Sequence, residues 1–545
     1  MNINPVSQSK LRVGFLVDSG AIEKNTLDLM DAIANNDHLF DSPIIIELIK
    51  EKPIISSFIF SIKKPLRFIL TQIINKLEAS RIRNNPIYED YFLTFSPADI
   101  LSRRPSFSDA SLGSLHSKKI DIYINYSSSS IPNLVFHNST YGVIKLSIGD
   151  SSLDKNLFVG FLDVLYKRPA TSLTILREDR DSRLDSVIRS GKMMTRSLWH
   201  HNRAAIFKKS NAFILRFLKD LQANTSLATH PIDLFESAEH EVKISSFHIA
   251  KYISKVYLSS IIPALTKVFQ SSKKLNRWSV AYAKGAGLEI DLSSATEIKN
   301  LPGRFFADPF IISHNNRNIC FVEDFFYAES KGKISAIEIL DNGYQVLGVV
   351  LEEQFHLSYP YIFEHEDRVY MIPETNEANE IRLYQAVDFP LIWELKQVLM
   401  QNVSAVDTSI FQEGVLWYML TNICSSDADD HSSELHVFYS DKPDSGNWTP
   451  IQSNNPVIFN SQEARNGGFF ELGNQKYRVN QVQGFSHYGR SLAVNLIKNI
   501  SQDIYEEERV FEIQPDFRED IISTHHYHTN GKFIVFDYCK NEKII

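Results

Sequence analysis

Residues 306–324 read FADPFIISHNNRNICFVED, two apolar runs separated by the polar turn HNNRN, with acidic residues near both ends. Two apolar runs joined by Asn-rich turn residues are typical of a β-hairpin. Four further segments repeat the order of polar start, apolar run, turn, second apolar run and polar end: 358–374, 406–422, 464–481 and 524–537. The sequence therefore predicts five copies of one hairpin in the C-terminal half.

The spacing of these copies predicts a five-bladed β-propeller over residues 273–545. A four-stranded blade occupies about 40 to 50 residues, and apolar runs suited to outer strands follow the first four hairpins. The early run RWSVAYAKG, residues 277–285, is expected to supply the missing strand of the last blade and close the ring. The first residues of the hairpins, which we call the heads, lie 51, 48, 58 and 60 residues apart and are Asp308, Tyr359, Asp407, Arg465 and His525.

A closed propeller brings the heads together, because the innermost strands of all blades start around one central channel. The second strands return to the same face and end in the polar residues Glu323, Glu374, Asn422, Gln481 and Asp537. Carboxylates crowded around a narrow channel repel one another, so that the pKa of one rises while another stays ionised. Glycosyl chemistry requires this division into acid and base.

Neighbouring side chains complete the predicted sugar site. Tyr327, Tyr359 and Tyr361 offer aromatic faces to sugar rings, and Arg465 and Arg478 suit an acidic sugar or a phosphate. The histidine spacing 525, 526, 528 lacks accompanying ligands and matches no metal motif, so we predict neither metal nor cofactor. The predicted substrate-binding residues are Glu323, Asp324, Tyr359, Arg465, Arg478, Gln481, His525 and His526.

The N-terminal half has a different pattern. Between residues 11 and 191, short apolar runs such as LRVGFLVD, PIIIELI and IDIYINYS alternate with helical stretches, which is typical of a parallel α/β sheet. We predict a doubly wound α/β domain over residues 1–191. Helical periodicity then predicts a helical connector over residues 192–272.

Composition excludes several classes of partner and site. Lys and Arg number 57 against 65 Asp and Glu, a net charge of −8, which leaves no cationic field for nucleic acid. The three cysteines are far apart and have no CxxC spacing, so neither a disulfide framework nor a cysteine zinc site is indicated. Together with a start that lacks a secretion signal, these features predict a cytoplasmic protein.

The most apolar stretch, PIISSFIFSIKKPLRFILTQIINKL, begins at Pro53 and is interrupted by Lys63, Lys64, Pro65 and Arg67. A spanning helix needs about 20 consecutive apolar residues, so we predict no transmembrane segment. Two interpretations stay open. The stretch is an amphipathic helix packed on its own domain, or a basic helix that lies peripherally on the inner face of an anionic membrane.

Several motifs of the C-terminal half resemble a known family: FADPFI, FVEDFF, HLSYPYIFE, YMIPE, ARNGG, YRVNQ and the late pair HH. Together they are similar to the five-bladed propeller at the N-terminus of plant glucosamine inositolphosphorylceramide transferases and in many bacterial proteins. The resemblance covers Trp278 to the C-terminus. In the plant family the recognised transferase module is a separate C-terminal domain, so the resemblance does not by itself make the propeller a transferase.

The ADP step, Ala307 to Pro309, is also similar to the first-blade motif of five-bladed glycoside hydrolases of the arabinanase and xylosidase type. That resemblance implies that Asp308 is the general base or a carboxylate that orients the nucleophile. By the same analogy Glu374 is the acid and Asp407 modulates pKa. These three residues are therefore the predicted catalytic residues.

The N-terminal half resembles a second family. The segments YGVIKLSIGD, VGFLDVLYKRPATSLTIL and LDSVIRSG are similar in order to the core of folate-dependent formyltransferases, which implies a formyltransferase-like domain fused to the propeller, as in related bacterial two-domain proteins. Where those proteins carry His-His-Gly-Asp, residues 147–150 of this chain read SIGD, and the usual Asp-Gly turn is Asp185 and Ser186. Formyl transfer needs the imidazole as a proton shuttle, so we predict a degenerate domain.

Two functions fit these features. The first is a carbohydrate-active enzyme of surface polysaccharide or glycolipid biosynthesis, which transfers or hydrolyses a glycosyl group of a nucleotide sugar or a lipid-linked glycan. The second is a non-catalytic sugar-binding or scaffold module with a degenerate N-terminal domain. Turnover of a bound sugar separates the two.

Overall fold

The computed structural model describes residues 9–18, 20, 22–48, 63–83, 93–115, 118–149, 158–178, 186–223, 244–258, 274–285, 288, 291–426, 430–452 and 455–543. The chain forms two compact units. Unit 1 comprises Met1–Gly191, Thr195–Leu265 and Ser426–Asp429, and unit 2 comprises Lys192–Met194, Thr266–Ser425 and Asp430–Ile545. The division into three segments at residues 191 and 272 stays a prediction.

Unit 1 alternates short strands with helices. Its regular elements in the described residues are β1 (Val13–Asp18), β2 (Ile22–Glu23), α1 (Lys24–Ala34), β3 (Ile44–Leu48), α2 (Lys63–Arg83), β4 (Thr94–Phe95), α3 (Pro97–Arg103), β5 (Ser108–Asp109), β6 (Ile122–Asn125), α4 (Asn133–His137), β7 (Val143–Ile148), α5 (Phe161–Leu165), β8 (Ala170–Glu178), β9 (Ser186–Met194), α6 (Trp199–Gln222) and α7 (Ser246–Ile253).

Seven of the described strands form one sheet in the order β5-β3-β1-β6-β7-β8-β9. Strands β5, β3, β1, β6 and β7 pair in parallel, and β8 pairs with β7 antiparallel. The sheet is therefore mixed, whereas the sequence predicted a parallel one. Burial accounts for the difference: β1 is buried almost throughout, as in a strand covered on both faces, whereas β8 alternates buried and half-buried residues, as in a strand with one open face.

The formyltransferase-like pattern is only partly visible in this unit. Strand β7 ends at Ile148, and Gly149 follows with a φ of 56°. Asp150 and Asp185 lie outside the described residues, as do the start of the apolar stretch at 53–62 and the connector segments 224–243 and 259–273. The likeness of unit 1 to a formyltransferase stays a prediction.

Unit 2 is an all-β five-bladed propeller, as the hairpin repeat predicted. Two strands come first, β10 (Lys274–Lys284) and β11 (Thr296–Ile298). Blade 1 contains β12 (Arg304–His314), β13 (Arg317–Phe326), β14 (Lys331–Leu340) and β15 (Gly343–Leu351), and blade 2 contains β16 (Ser358–His365), β17 (Arg368–Glu374), β18 (Glu380–Asp388) and β19 (Ile392–Gln401).

The remaining blades follow in chain order. Blade 3 contains β20 (Ala405–Glu413), β21 (Leu416–Ile423), β22 (Glu434–Ser440), β23 (Thr449–Pro450) and β24 (Ile458–Phe459). Blade 4 contains β25 (Asn466–Leu472), β26 (Gln475–Gly484), β27 (His487–Ile500) and β28 (Tyr505–Ile513). Blade 5 contains β29 (Ile521–Ser523), β30 (Tyr527–Thr529) and β31 (Phe533–Lys543), together with β10 and β11.

The ring closes in blade 5 with an early strand. Strand β10 pairs antiparallel with β31 from Lys274↔Lys543 to Lys284↔Phe533. The predicted role of the run 277–285 is thereby confirmed. Because the closing hydrogen bonds join the two ends of unit 2, the first and last blades leave no open edge between them.

The hairpin turns show why these strands pair as they do. In blade 1 the turn residues Asn315 and Asn316 have φ of 49° and 63°, the left-handed conformation that a two-residue turn needs and that Asn tolerates. Apolar side chains of the inner strands pack between neighbouring blades, among them Phe310, Tyr361 and Phe411, all buried. Packing of adjacent blades thus fixes the innermost strands around the channel.

Candidate functional site

Three heads share an unusual backbone conformation. Asp308, Tyr359 and Asp407 have φ of 48°, 44° and 50°, in the left-handed region that non-glycine residues rarely adopt. The register of each hairpin shifts at this point, as in a β-bulge that re-aims a side chain. In blade 4 the shift lies between Asn466 and Gly468. Such strain costs about 1–3 kcal/mol per residue and clusters at functional sites.

Buried hydrogen bonds join the heads of blades 5, 1 and 2. The Tyr359 N–H donates to the Asp308 carboxylate at 3.2 Å, and the Asp308 N–H donates to Asp537 at 3.1 Å. The other oxygen of Asp537 accepts the N–H groups of His525 and His526 at 3.1 and 2.9 Å. Asp537 therefore joins blade 5 to blade 1, and Asp308 joins blade 1 to blade 2.

A second cluster joins blades 2, 3 and 4. Arg465 Nε donates to Asp407 Oδ2 at 2.7 Å, and Arg465 Nη2 lies 3.9 Å from Glu374 Oε2. Burial and the negative charge of Asp407 raise the pKa of the Glu374 carboxyl group, and Gln481 Nε2 donates to Asp407 Oδ2 at 3.4 Å. The structure thus places two of the predicted catalytic carboxyl groups beside one guanidinium.

The histidines of blade 5 face the Asp308 side of the channel. His525 Nδ1 lies 2.7 Å from Asp537 Oδ2, and its Nε2 lies 3.5 Å from Asp308 Oδ1. The Trp278 ring stacks on His525 with centroids 3.9 Å apart. His526 Nδ1 lies 3.7 Å from Asp308 Oδ1, and neither ring nitrogen of His526 has a hydrogen-bond partner among the described residues. Both imidazoles are therefore oriented toward the carboxylates.

Burial and neighbouring charges shift the pKa values of Asp308 and His525. Burial raises the pKa of Asp308 to about 7, the positive charge of His525 opposes the rise, and the charges of Asp537 and Asp407 add to it. Burial alone would lower the pKa of His525, but Asp537 and Asp308 outweigh it and the pKa is raised. Asp308 therefore gains and loses its proton near neutral pH, beside a histidine whose protonated form is favoured.

Glu374 and Glu323 hold their protons more firmly. Burial raises the pKa of Glu374 well above the usual value, and Asp407 raises it further while Arg465 opposes. Burial likewise raises the pKa of Glu323, followed by the charge of Asp308. The site therefore combines carboxyl groups that stay neutral with carboxylates paired to cations, the combination that acid and base catalysis uses.

Arg478 does not take the predicted substrate-binding role. It is fully buried, and its guanidinium donates to both oxygens of Glu507, to Asn466 Oδ1 and to the backbone carbonyls of Glu463 and Ala464. All five N–H donors are thereby used inside the protein. Arg478 instead stabilises the start of blade 4.

Asp324 also has its hydrogen bonds inside the protein, and its role differs from that of the neighbouring Glu323. It lies almost fully buried between strands, accepting from Arg304 Nη1 at 3.1 Å and Ser335 Oγ at 2.8 Å. Successive residues of a strand point to opposite faces, so Glu323 points the other way, where its Oε1 lies 3.5 Å from His356 Nε2. Of the predicted pair, only Glu323 stands with the channel carboxylates.

The predicted aromatic platforms are mostly core residues. Tyr359 is fully buried, with its hydroxyl 3.1 Å from Ser409 Oγ and its ring against Phe310 at 4.9 Å. Tyr361 is 4% exposed and donates its hydroxyl to a backbone carbonyl of blade 3. Only Tyr327 of the three is exposed. Tyr359 therefore contributes its backbone N–H, and not its ring, to the site.

Tyr488 is a site residue that the sequence pattern missed. The residue is 41% exposed, and its ring lies under the Arg465 guanidinium at 5.0 Å and packs against His525 with centroids 5.4 Å apart. Tyr488 and Trp278 belong to strands outside the head hairpins, so the five-fold repeat carried no signal for them.

The described residues include one group that could hold a metal ion. Asp308, His525 and Asp537 bring potential ligand atoms to within 4.8 Å of one another, and carboxylate with imidazole suits a divalent cation. The oxygens of Asp537, however, already receive three backbone N–H groups and face His525 Nδ1. These contacts use part of the acceptor capacity of Asp537, so a cation at this place would compete with them.

Comparison with known proteins finds that the propeller is similar to the family named above. The family model described as "Glucosamine inositolphosphorylceramide transferase 1, N-terminal" matches residues 270–526. Glucosamine inositolphosphorylceramide transferase 1 of Arabidopsis thaliana is 34% identical over 216 residues, which cover 38% of this chain and 28% of that protein. The protein of the same name from Oryza sativa subsp. japonica is 33% identical over 211 residues, with the same coverage.

These relatives are plant proteins, so the predicted bacterial context gains no support from them, and this chain matches less than a third of their length. Among solved structures, the α-L-arabinofuranosidase PaAbf62A of Podospora anserina, in complex with cellotriose, covers 49% of this chain and 98% of its own, with 12% identity and a TM-score of 0.33. A thermostable family-43 glycoside hydrolase covers 44% and 89%, with 14% identity and a TM-score of 0.33. Similarity at this level carries no functional argument.

Proposed function

We propose that unit 2 is a carbohydrate-active enzyme that acts on a glycosyl bond at its central channel. One observation carries the proposal: three carboxyl groups from different blades, Asp308, Glu374 and Asp407, converge with Arg465 and His525. Their environments differ, so one group can give a proton while another accepts one. Strained head residues at the same place add a feature that is common at functional sites.

The contacts suggest a role for each carboxyl group. Glu374, whose pKa is raised by burial and by the charge of Asp407, is the acid that protonates the leaving oxygen. Asp308, whose pKa is raised to about 7, accepts a proton from the nucleophile, and the positive charge of His525 favours its carboxylate form before that step. Asp407, paired with Arg465, raises the pKa of Glu374 through its negative charge. In this scheme the glycosidic C–O bond breaks as the leaving oxygen is protonated, and a hydroxyl or water attacks the reacting carbon.

The substrate class we propose is a sugar carried on a lipid or a nucleotide, in surface polysaccharide or glycolipid biosynthesis. The similarity to transferases whose name includes glucosamine and a ceramide lipid supports the choice. The exposed ring of Tyr488 offers a face for a sugar, since ligand sites combine aromatic walls with a few oriented polar groups. Glu323 lies on the Asp308 side and would contact sugar hydroxyls, whereas His526 is fully buried.

The test combines binding and turnover. Saturation-transfer NMR or calorimetry with a panel of sugars, nucleotide sugars and glycolipid headgroups identifies a ligand of the full chain, and product formation is then followed by mass spectrometry. We expect Glu374→Gln and Asp308→Asn to bind the ligand but turn it over at least about 100-fold more slowly. Equal turnover by both variants and the unmodified chain would contradict the assignment.

A non-catalytic sugar-binding module is the second candidate. It is favoured by the observation that the carboxylates of Asp308 and Asp407 already accept protein donors, Tyr359 N–H and Arg465 Nε. A structural ring of this kind would bind sugars without changing them. Binding that survives Asp308→Asn, with no turnover by either form, supports the module.

For unit 1 we propose a degenerate formyltransferase-like domain in a cytoplasmic protein. The proposal rests on the motif order described above and on the absence of a histidine in the segment 147–150. Incubation of the full chain with a formyl-folate donor and amino sugars should give no formylated product. Formylation that persists in the full chain would show a catalytic group outside that segment.

A further inference from the structure

Helix α2 of unit 1 exposes a series of large apolar side chains. With about 100° between successive residues, they lie on one side of the helix together with Gln72 and Lys76, whereas Ile74 and Glu78 are fully buried on the other side. Exposed apolar groups at this density mark an interaction surface. The exposed face of α2 comprises Leu66, Phe68, Ile69, Ile73 and Leu77, which are 50, 65, 54, 40 and 41% exposed.

Buried polar contacts fix which side of α2 faces outward. The Glu78 carboxylate accepts hydrogen bonds from the hydroxyls of Tyr252 at 2.5 Å and Tyr257 at 2.9 Å, and from the His200 N–H at 2.7 Å. His200 Nε2 also lies 2.8 Å from Asn75 Oδ1. Rotation of the helix to bury its apolar face would carry Glu78 away from these donors and leave the buried hydroxyl of Tyr252 and the His200 N–H without their acceptor.

The charge of α2 is opposite to that of the whole chain. Its sequence, KKPLRFILTQIINKLEASRIR, contains six Lys or Arg and one acidic residue, Glu78, which is buried. The chain as a whole carries −8. A second copy of α2 would repel this helix, whereas an anionic lipid surface complements both its charge and its apolar side chains.

We propose that α2 docks the protein on an anionic membrane surface. The apolar side chains insert at the level of the lipid headgroups, and Lys76 extends its ammonium group to the lipid phosphates. None of the described helices is long and apolar enough to span a bilayer, so this contact lies along the surface. Such binding is reversible and weakens as salt screens the charges.

The experiment uses the full chain with sedimented vesicles, one set of phosphatidylcholine alone and one with about 30% phosphatidylserine. We expect binding to the anionic set, weakened by salt. The exposed pair Phe68→Ser and Ile69→Ser should reduce the partition coefficient about tenfold or more, because two apolar side chains no longer leave water. Lys76→Glu should reduce it at least about fivefold.

A matched control is Val387→Ser with Val415→Ser, which replaces two exposed apolar residues of unit 2 that are 59% and 85% exposed. This variant should bind vesicles like the unmodified chain. Circular dichroism checks that all variants stay folded, and a Phe68→Trp variant reports insertion by a blue shift of its fluorescence.

Three outcomes would overturn the proposal. The first is equal binding to both vesicle sets, and the second is unchanged vesicle binding when Phe68 and Ile69 are replaced. The third is self-association of the chain through this face without any binding to vesicles. The vesicle assay needs no sugar, so its result is independent of the test of the proposed function.

Discussion

The two ends of the innermost propeller strands are stabilised in different ways. At the head end, buried carboxylates and a guanidinium bind one another, as in the Asp407–Arg465 contact of 2.7 Å. At the turn end, a cavity of about 750 Å³ is lined by aromatic rings such as Phe411 and Phe469, which stack 4.6 Å apart. Its ion pair between Lys476 and Glu413 is open to water.

Charged side chains therefore have different roles at the two ends of these strands. A buried ionic group is costly to remove alone, because its partner stays desolvated and unpaired. An exposed pair is solvated whether or not its partner is present. Charges at the head end should therefore affect both stability and chemistry, and those at the turn end should affect neither strongly.

The largest expected effect is on turnover. Asp308→Asn keeps the shape of the side chain but removes the proton acceptor, so we expect the turnover of the identified sugar to fall about 100- to 10,000-fold. Glu364→Gln, at the turn end, should leave turnover unchanged. Steady-state kinetics of both variants measure the contrast, and a comparable loss in the two would remove the distinction between the ends.

The next largest effect is on stability. Arg465→Met removes the cation that faces Asp407 and Glu374 and leaves buried carboxyl groups uncompensated. We expect the free energy of unfolding to fall by about 3–5 kcal/mol. Urea unfolding followed by circular dichroism measures it, and a loss below about 1 kcal/mol would show that the head end is more solvated than its burial indicates.

A pH dependence should distinguish the two ends as well. The folded pKa of Asp308, about 7, lies above the value of about 4 in the unfolded chain. Its protonated form therefore contributes stability that is fully present below pH about 4 and is lost as pH rises through about 7.

We accordingly expect the unmodified chain to lose on the order of a few kcal/mol of unfolding free energy, relative to Asp308→Asn, between pH 4.5 and pH 7.5. Urea titrations at several pH values test this. Glu364→Gln should parallel the unmodified chain, and a constant difference between Asp308→Asn and the unmodified chain would contradict the raised pKa.

The smallest effect is expected for Lys476→Met. Its partner Glu413 has a half-exposed side chain, so loss of the pair should change the free energy of unfolding by less than about 1 kcal/mol. The difference should shrink further at high salt, because exposed charges are screened. Urea unfolding at low and high salt measures it, and a loss as large as that of Arg465→Met would contradict the comparison.

The repeat made most of the propeller predictable. Five hairpins of similar spacing predicted five blades, and the apolar run at Trp278 predicted the closing strand, because a strand pattern and its period are local properties of the sequence. The mixed sheet of unit 1 was not predicted. Whether a strand pairs parallel or antiparallel depends on how it meets its neighbour in the folded protein. The sequence of β8 reads like that of a parallel strand, and only the structure shows that its residues are alternately buried and half-buried.

The candidate site was only partly predictable for the same reason. The head positions of Asp308, Asp407, Arg465 and His525 followed from the repeat, but Tyr488 carries no repeat signal.

The amino-acid sequence by itself determined the number of blades, the position of each head and the charge of α2, because periodicity, turn residues and composition act along the chain. Only the tertiary structure decided which polar residues face the channel. Arg478 and Asp324 looked equivalent to Arg465 and Glu323 in the sequence, but the partners that satisfy a buried charge come from distant strands.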